Sequence, residues 1–181
     1  MGSRLLGSPP KSSERTLRVP EKPVISNTSP LVGLWVLNLF PLLRELYTEV
    51  LIPEEVRDEF FATERHAREA ALKSAPWIRT VRLHNPENIA THAEIDLGEA
   101  AVFVLAEEHE ARLVILDDRD ARRYAERIGV PYTGTVGLLL EAKERGFIDA
   151  VTPLLNVLLE NGVRLSPSLV SDALQQAGEM P

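Results

Sequence analysis

The run Arg112-Leu-Val-Ile-Leu116, closed at once by Asp117-Asp118, constrains this chain more than any other feature. A strand that is apolar on both faces has no side for water. It belongs inside a parallel sheet whose two faces are covered by helices. The other parts of such a sheet follow in order. Pro23 to Ser26 reads as a short buried strand, Glu49 to Ile52 as a second, Trp77 to Leu83 as an alternating third and Val130 to Tyr132 as a fifth. Helical periods separate them. One runs to about Leu39 with Ser29 as N-cap and Pro30 at the first helical position. Pro41 opens another to about Tyr47, and Pro53 opens a third. The charged stretch Phe61 to Ala75 also reads as helical. Asp96-Leu-Gly-Glu99 begins a strong helix, Arg119 to Ile128 stops at Gly129, and VGLLLEAKERG stops at Gly146. Ile148 to Asn161 and Pro167 to Ala177 close the chain. Alternating strands and helices predict an α/β protein, a three-layer α/β/α fold around a central parallel sheet of four to five strands.

The length of 181 residues suits one domain. We place that domain at residues 23–181. Residues 1–22, rich in Ser and Pro, hold five basic and two acidic side chains and read as a disordered basic extension. The whole chain carries −7, so the folded body carries −10 against +3 on the extension. Such a body repels nucleic acid in bulk, and any phosphate chemistry needs a local counter-charge. Cysteine is absent. A disulfide scaffold, a thiolate zinc site and a cysteine nucleophile are excluded with it. The longest apolar stretch, Leu31 to Leu43, is shorter than the ~20 residues a bilayer needs and is broken by Asn38 and Pro41. No apolar core of a secretory signal follows the basic N-terminal residues. The expectation is a cytoplasmic protein with no membrane partner.

Open parallel sheets bind ligands at the carboxyl ends of their strands. The polar residues there are Ser26, Asn27 and Thr28, then Asp117 and Asp118, then Thr133 and Thr135. Five acids stand out by position: Glu59, Asp96, Glu99, Asp117 and Asp118. Adjacent carboxylates at a buried strand end call for a proton, a basic partner or a dication. Carboxylate oxygens suit Mg²⁺ or Mn²⁺. Each acid also has a structural reading. Asp96-x-x-Glu99 matches a capping box, Asp118 suits an N-cap, and Glu59 lies in an acidic helical run. His66, His84, His92 and His109 show no ligand spacing and read as surface or loop residues, which leaves zinc little support. Gly-rich phosphate loops and the G-x-S-x-G elbow are missing.

The motifs VISNTSPL, LIPEEVRDEF, DLGEAAVFVLA, LVILDDRDARRYA and GTVGLLLEAKERG, in that order, resemble the PIN-domain superfamily over about Pro23 to Glu179. They look most like a prokaryotic subgroup related to toxins of the virulence-associated protein C type. The resemblance implies a metal-dependent ribonuclease that uses Mg²⁺ or Mn²⁺ to hydrolyse RNA. It also implies a toxin with an antitoxin protein as partner, and a homodimer. The family's first acid falls on Asn27, its second on Glu59, its third on Glu99 beside Asp96, and its fourth on Asp118 or Asp117. A family hydroxyl or acid falls on Thr133 or Thr135. Thr28, Ser29 and Arg119 would then face substrate, with Arg122 and Arg123 adding positive charge. Asn27 departs from the family, where this position is usually an Asp. An amide oxygen coordinates without charge, and one fewer negative ligand weakens a hard dication's site.

Two other readings remain open from the residues. The loss of an acid at Asn27 leaves a weakened module that binds RNA or protein. Alternatively, Asp118-Arg-Asp120 is a D-x-D pattern of another Mg²⁺ phosphoryl-transfer fold. The apolar helices LVGLWVLNLF and PLLNVLLENG serve either a dimer surface or the core.

Overall fold

A computed structural model describes residues 21–180 of the chain. The extension's residues 1–20, and the disorder expected of them, lie outside the described residues. Five strands form one parallel sheet: β1 (Val24–Ser26), β2 (Val50–Pro53), β3 (Ile78–Val81), β4 (Leu113–Ile115) and β5 (Tyr132–Thr133). Their spatial order is β3-β2-β1-β4-β5, and every neighbouring pair is parallel. β1 and β2 are buried along their whole length, as a sheet covered on both faces requires. The result is a three-layer α/β/α fold, with nine α-helices among the described residues.

The helices are α1 (Thr28–Val36), α2 (Phe40–Tyr47), α3 (Glu54–Phe60), α4 (Arg65–Lys73), α5 (Leu97–Glu108), α6 (Arg119–Ile128), α7 (Thr135–Glu144), α8 (Thr152–Glu160) and α9 (Pro167–Ala177). Some boundaries depart from the sequence pattern. Helix α1 starts at Thr28, because Asn27 takes the extended conformation and occupies the N-cap position expected of Ser29. It ends at Val36, and Asn38 turns the chain with φ +54°. The charged stretch after α3 is interrupted before α4, where Glu64 adopts a left-handed conformation. Gly129, with φ +74°, terminates α6 as its position suggested.

α5 is the central helix. Gly98 through Ala106 are all buried, so it has no solvated face over that stretch. Leu31 and Leu34 of α1 and Leu155 and Leu158 of α8 are buried in the same core. Much of the apolar surface of these two helices therefore packs into the core, while Leu159 of α8 stays 42% exposed. No helix among the described residues is long and apolar enough to cross a membrane.

The topology places one crevice. From β1 the chain moves outward to β2 and β3, then returns to the other side of β1 for β4 and β5. Strands β1 and β4 therefore diverge into opposite connections at their carboxyl ends, the switch point where open α/β sheets take ligands. Ser26 pairs with Ile115 in register, so Asn27 and Asp117-Asp118 leave the sheet side by side.

Candidate metal centre

Asn27 enters from the end of β1. Its N–H donates to Ile115 O at 3.0 Å, which fixes it against β4. Its side chain makes no cap hydrogen bond to α1, and Oδ1 is buried without a partner among the described residues. An orphaned buried acceptor costs on the order of 1–3 kcal/mol unless something satisfies it.

Glu59 enters from α3, where Thr28 Oγ1 donates to its Oε2 at 2.7 Å. Gly98, in the first turn of α5, explains how it gets so close. A Cβ at that position would lie 2.8 Å from Glu59 Oε2, 3.5 Å from Asp96 Oδ1 and 3.8 Å from Asn27 Oδ1. Oxygens from three separate segments thus surround one point, and only a residue without a side chain leaves that point open. Asp96 performs the cap half of its expected role, accepting from Glu99 N–H at 2.8 Å. Glu99 is 5% exposed. Burial raises its carboxyl to about 7, and the charges of Asp96, Asp118 and Glu59 push the same way.

The β4 side is arranged differently. Asp118 caps α6, its Oδ1 accepting from the N–H groups of Asp120 and Ala121 at 2.7 and 2.9 Å. Asp117 commits both oxygens. Oδ1 accepts from Thr135 N–H at 2.8 Å and from Arg122 at 3.3 Å, and Oδ2 accepts from Thr135 Oγ1 at 2.6 Å. Arg122 also donates from Nε to Leu116 O at 2.7 Å. Gly134 makes room for it, since a Cβ there would collide with the guanidinium. The charge that Asp117 needed is thus supplied by a cation seven residues beyond the end of the strand. Thr133 turns elsewhere, its Oγ1 against the backbone of Gly137. Ser29, Asp118 and Arg119 are exposed. Arg123 pairs with Asp120 at 3.5 Å on the outer face of α6, which turns Asp120 away from the crevice.

A cleft of about 600 Å³ opens on the site. It is lined by Thr28, Ser29, Glu59, Asp117, Asp118 and Arg122 at one end, and by Arg68 and Arg164 among others along its length. Neither Asn27 nor Glu99 lines it; each is 5% exposed. Arg68 and Arg164 escaped the sequence reading, because α4 and the α8–α9 connection carry no motif. Gly98 did carry a signal: a glycine in the first turn of an otherwise strong helix marks a close approach.

The donors fit a hard dication. All are oxygens, one is an orphaned amide oxygen, and one carboxylate is destabilised as an anion by three others. The carboxylates alone do not close up. Among the described residues, no three of these acids bring ligand oxygens within 4.8 Å of one another. Like charges in a poorly solvated pocket repel, and their helices hold them apart.

A DUF3368 family model, described as a PIN domain, matches residues 23–179. No curated protein matches the chain.

Proposed function

The chain belongs to the PIN-domain family, and from that premise we propose that it is a metal-dependent ribonuclease. PIN domains are nucleases as a family, and divalent metals serve their chemistry. The observation that carries the finer reading is the convergence of Asn27, Glu59 and Asp96 oxygens around Gly98, with Asp96, Asp118 and Glu59 close enough to perturb Glu99.

In this reading Glu99, Asp118 and Asn27 hold Mg²⁺ or Mn²⁺, with Glu59 as further ligand or as acceptor of the attacking water's proton. The bound cation supplies charge neutralisation at the phosphodiester and a more acidic water. Thr28 fixes the Glu59 carboxylate through its 2.7 Å hydrogen bond, so one oxygen keeps a defined direction. Asp117 positions rather than ligates, holding the buried Thr135 on one side and Arg122, on the cleft wall, on the other. Arg164 on the cleft wall offers local positive charge for a phosphate backbone, while Arg122 and Arg68, which line the same cleft, are already paired with Asp117 and Glu64. Thr28 and Ser29 line the cleft and would meet substrate there, and Arg119, exposed at the start of α6, would add to the contact. At the finest level we propose a toxin acting as a homodimer in the cytoplasm under an antitoxin's control.

The test is cleavage of short single-stranded RNA with Mn²⁺, in wild type, Glu99→Ala, Asp118→Ala and Asn27→Asp. The nuclease reading expects cleavage in wild type, loss in both alanine variants and gain in Asn27→Asp. Cleavage only in Asn27→Asp identifies a weakened binding module instead. Cleavage equal in wild type and both alanine variants removes the site.

A further inference from the structure

A second polar cluster lies at the other end of α5. Glu99 stands in its first turn and Glu108 at its last residue, about 13 Å apart along the axis at 1.5 Å per residue. His84, which follows β3, meets Glu108 and His109 there. Each of the three offers a ligand atom within 4.8 Å of the other two. The imidazoles of His84 and His109 stack with centroids 5.8 Å apart and planes 24° from parallel. His84 Nδ1 lies 3.6 Å from Glu108 Oε2.

Two features distinguish this group from a chance surface contact. The Glu108 side chain is only 8% exposed and is fixed from behind. Its Oε1 accepts from Asn85 N–H at 2.7 Å and its Oε2 from His84 N–H at 3.0 Å. Outer hydrogen bonds of this kind orient carboxylates that ligate metals. Independently, His109 Nε2 is buried and has no hydrogen-bond partner among the described residues. A buried ring nitrogen in that state needs a hydrogen bond or a Lewis acid.

We infer that His84, Glu108 and His109 form a second metal site, separate from the oxygen pocket, that takes a first-row transition dication and Zn²⁺ above all. Two imidazoles and one carboxylate are borderline donors that suit zinc and disfavour Mg²⁺. Three protein ligands leave a fourth tetrahedral position for water. Zinc–ligand bonds of about 2.0–2.2 Å draw the group tighter than it stands. The His84 side chain, 71% exposed, is free to make that adjustment. The consequence is structural. The metal ties the start of the β3–α5 connection to the end of α5, and that connection delivers Asp96 and Glu99 to the oxygen pocket. The same helix is then braced at one end and functional at the other.

This site stands whether or not the chain cleaves RNA. The test is equilibrium dialysis of the full metal-free chain against ZnCl₂, with thermal melts alongside. Wild type and Glu99→Ala bind one equivalent of zinc, and zinc raises the melting temperature of both. His84→Ala, which removes an exposed side chain, weakens binding at least about tenfold and abolishes the thermal gain. Glu108→Gln and His109→Ala lose the equivalent. Zinc also slows amide exchange across residues 82–96 in wild type but not in His84→Ala. No zinc uptake by wild type, or equal affinity in wild type and His84→Ala, overturns the assignment.

Discussion

Glu99 and Glu179 depart from ordinary carboxyl behaviour in opposite directions. Glu179 accepts from Lys143 Nζ at 2.6 Å, from the Thr152 hydroxyl, and from the N–H groups of Val151 and Thr152 at 2.7 and 2.8 Å. Those donors hold it down at about 2, the lysine first among them. It closes the N-terminus of α8 from the far end of the chain. Glu99 is buried among acids, and burial with like charge lifts it to about 7. The lesson is where satisfaction is withheld. A structural carboxylate is saturated by donors, whereas at Glu99 the backbone hydrogen bond from Asp96 is outweighed by burial and three like charges. Asp117, with Thr135 and Arg122 on its oxygens, belongs to the first kind although it sits beside the second.

The contrast is broken most severely at Glu99 itself. Glu99→Gln lowers Mn²⁺-dependent cleavage by more than about 100-fold, since losing a residue that merely orients a ligand already costs about 10–100-fold. The same change raises the stability of the metal-free protein at pH 8 by about 1–3 kcal/mol, because it removes an ionised group from a pocket that disfavours it. Thermal melts that show destabilisation at pH 8 would mean that donors outweigh burial and like charge at this carboxylate. Gly98→Ala comes next. The new Cβ displaces Glu59 Oε2, and cleavage falls about tenfold or more, while stability moves by less than about 1 kcal/mol because alanine favours the helix. Cleavage at the wild-type rate would show that Glu59 does not need its place beside α5.

A smaller effect separates the two carboxylates by pH. For Glu99 the unfolded chain gives up its proton near 4.5 and the folded chain near 7, so metal-free stability falls as pH rises through that window. Mn²⁺ at about 100 times its dissociation constant adds about 2.7 kcal/mol and reduces the slope. A melting temperature that rises over the same window would contradict the burial of Glu99. Glu179 works in reverse. Its contribution is complete above about 4.5 and is lost as pH falls towards 2. Glu179→Gln therefore lowers the melting temperature at pH 7, and the deficit shrinks in acid. RNA cleavage by this variant stays at the wild-type level, and a loss of cleavage would tie the C-terminal closure to the site.

Much of the fold was legible because it is written in local pattern. The both-sided apolarity of β4, the caps at Asp96 and Asp118 and the stop at Gly129 are short-range features, and the structure carries all of them. The motif order also pointed to the family. Other features have no local signature. His92 read as a surface or loop residue, yet it is 4% exposed and its Nδ1 lies 2.6 Å from Tyr124 Oη, 32 residues away. His84 and His109 carry no ligand spacing, because the stacking that unites them joins the segment after β3 to the end of α5. Arg122 looked like one of three cations on a helix face. Only its angular position on α6 turns it inward while Arg123 faces solvent.

By itself the amino-acid order determined the strands, most of the helices, the polar residues at the strand ends and the identity of the acids, since periodicity and capping act over a few residues. Only the tertiary structure decided which of those acids are satisfied and which are not. That division rests on distances across elements: Thr135 and Arg122 reach Asp117, no hydrogen-bond partner among the described residues reaches Asn27 Oδ1, and the absent side chain of Gly98 lets Glu59 approach α5. Electrostatic strain is a property of neighbours in space, and the chain's linear order does not contain it until the sheet brings β1 and β4 together.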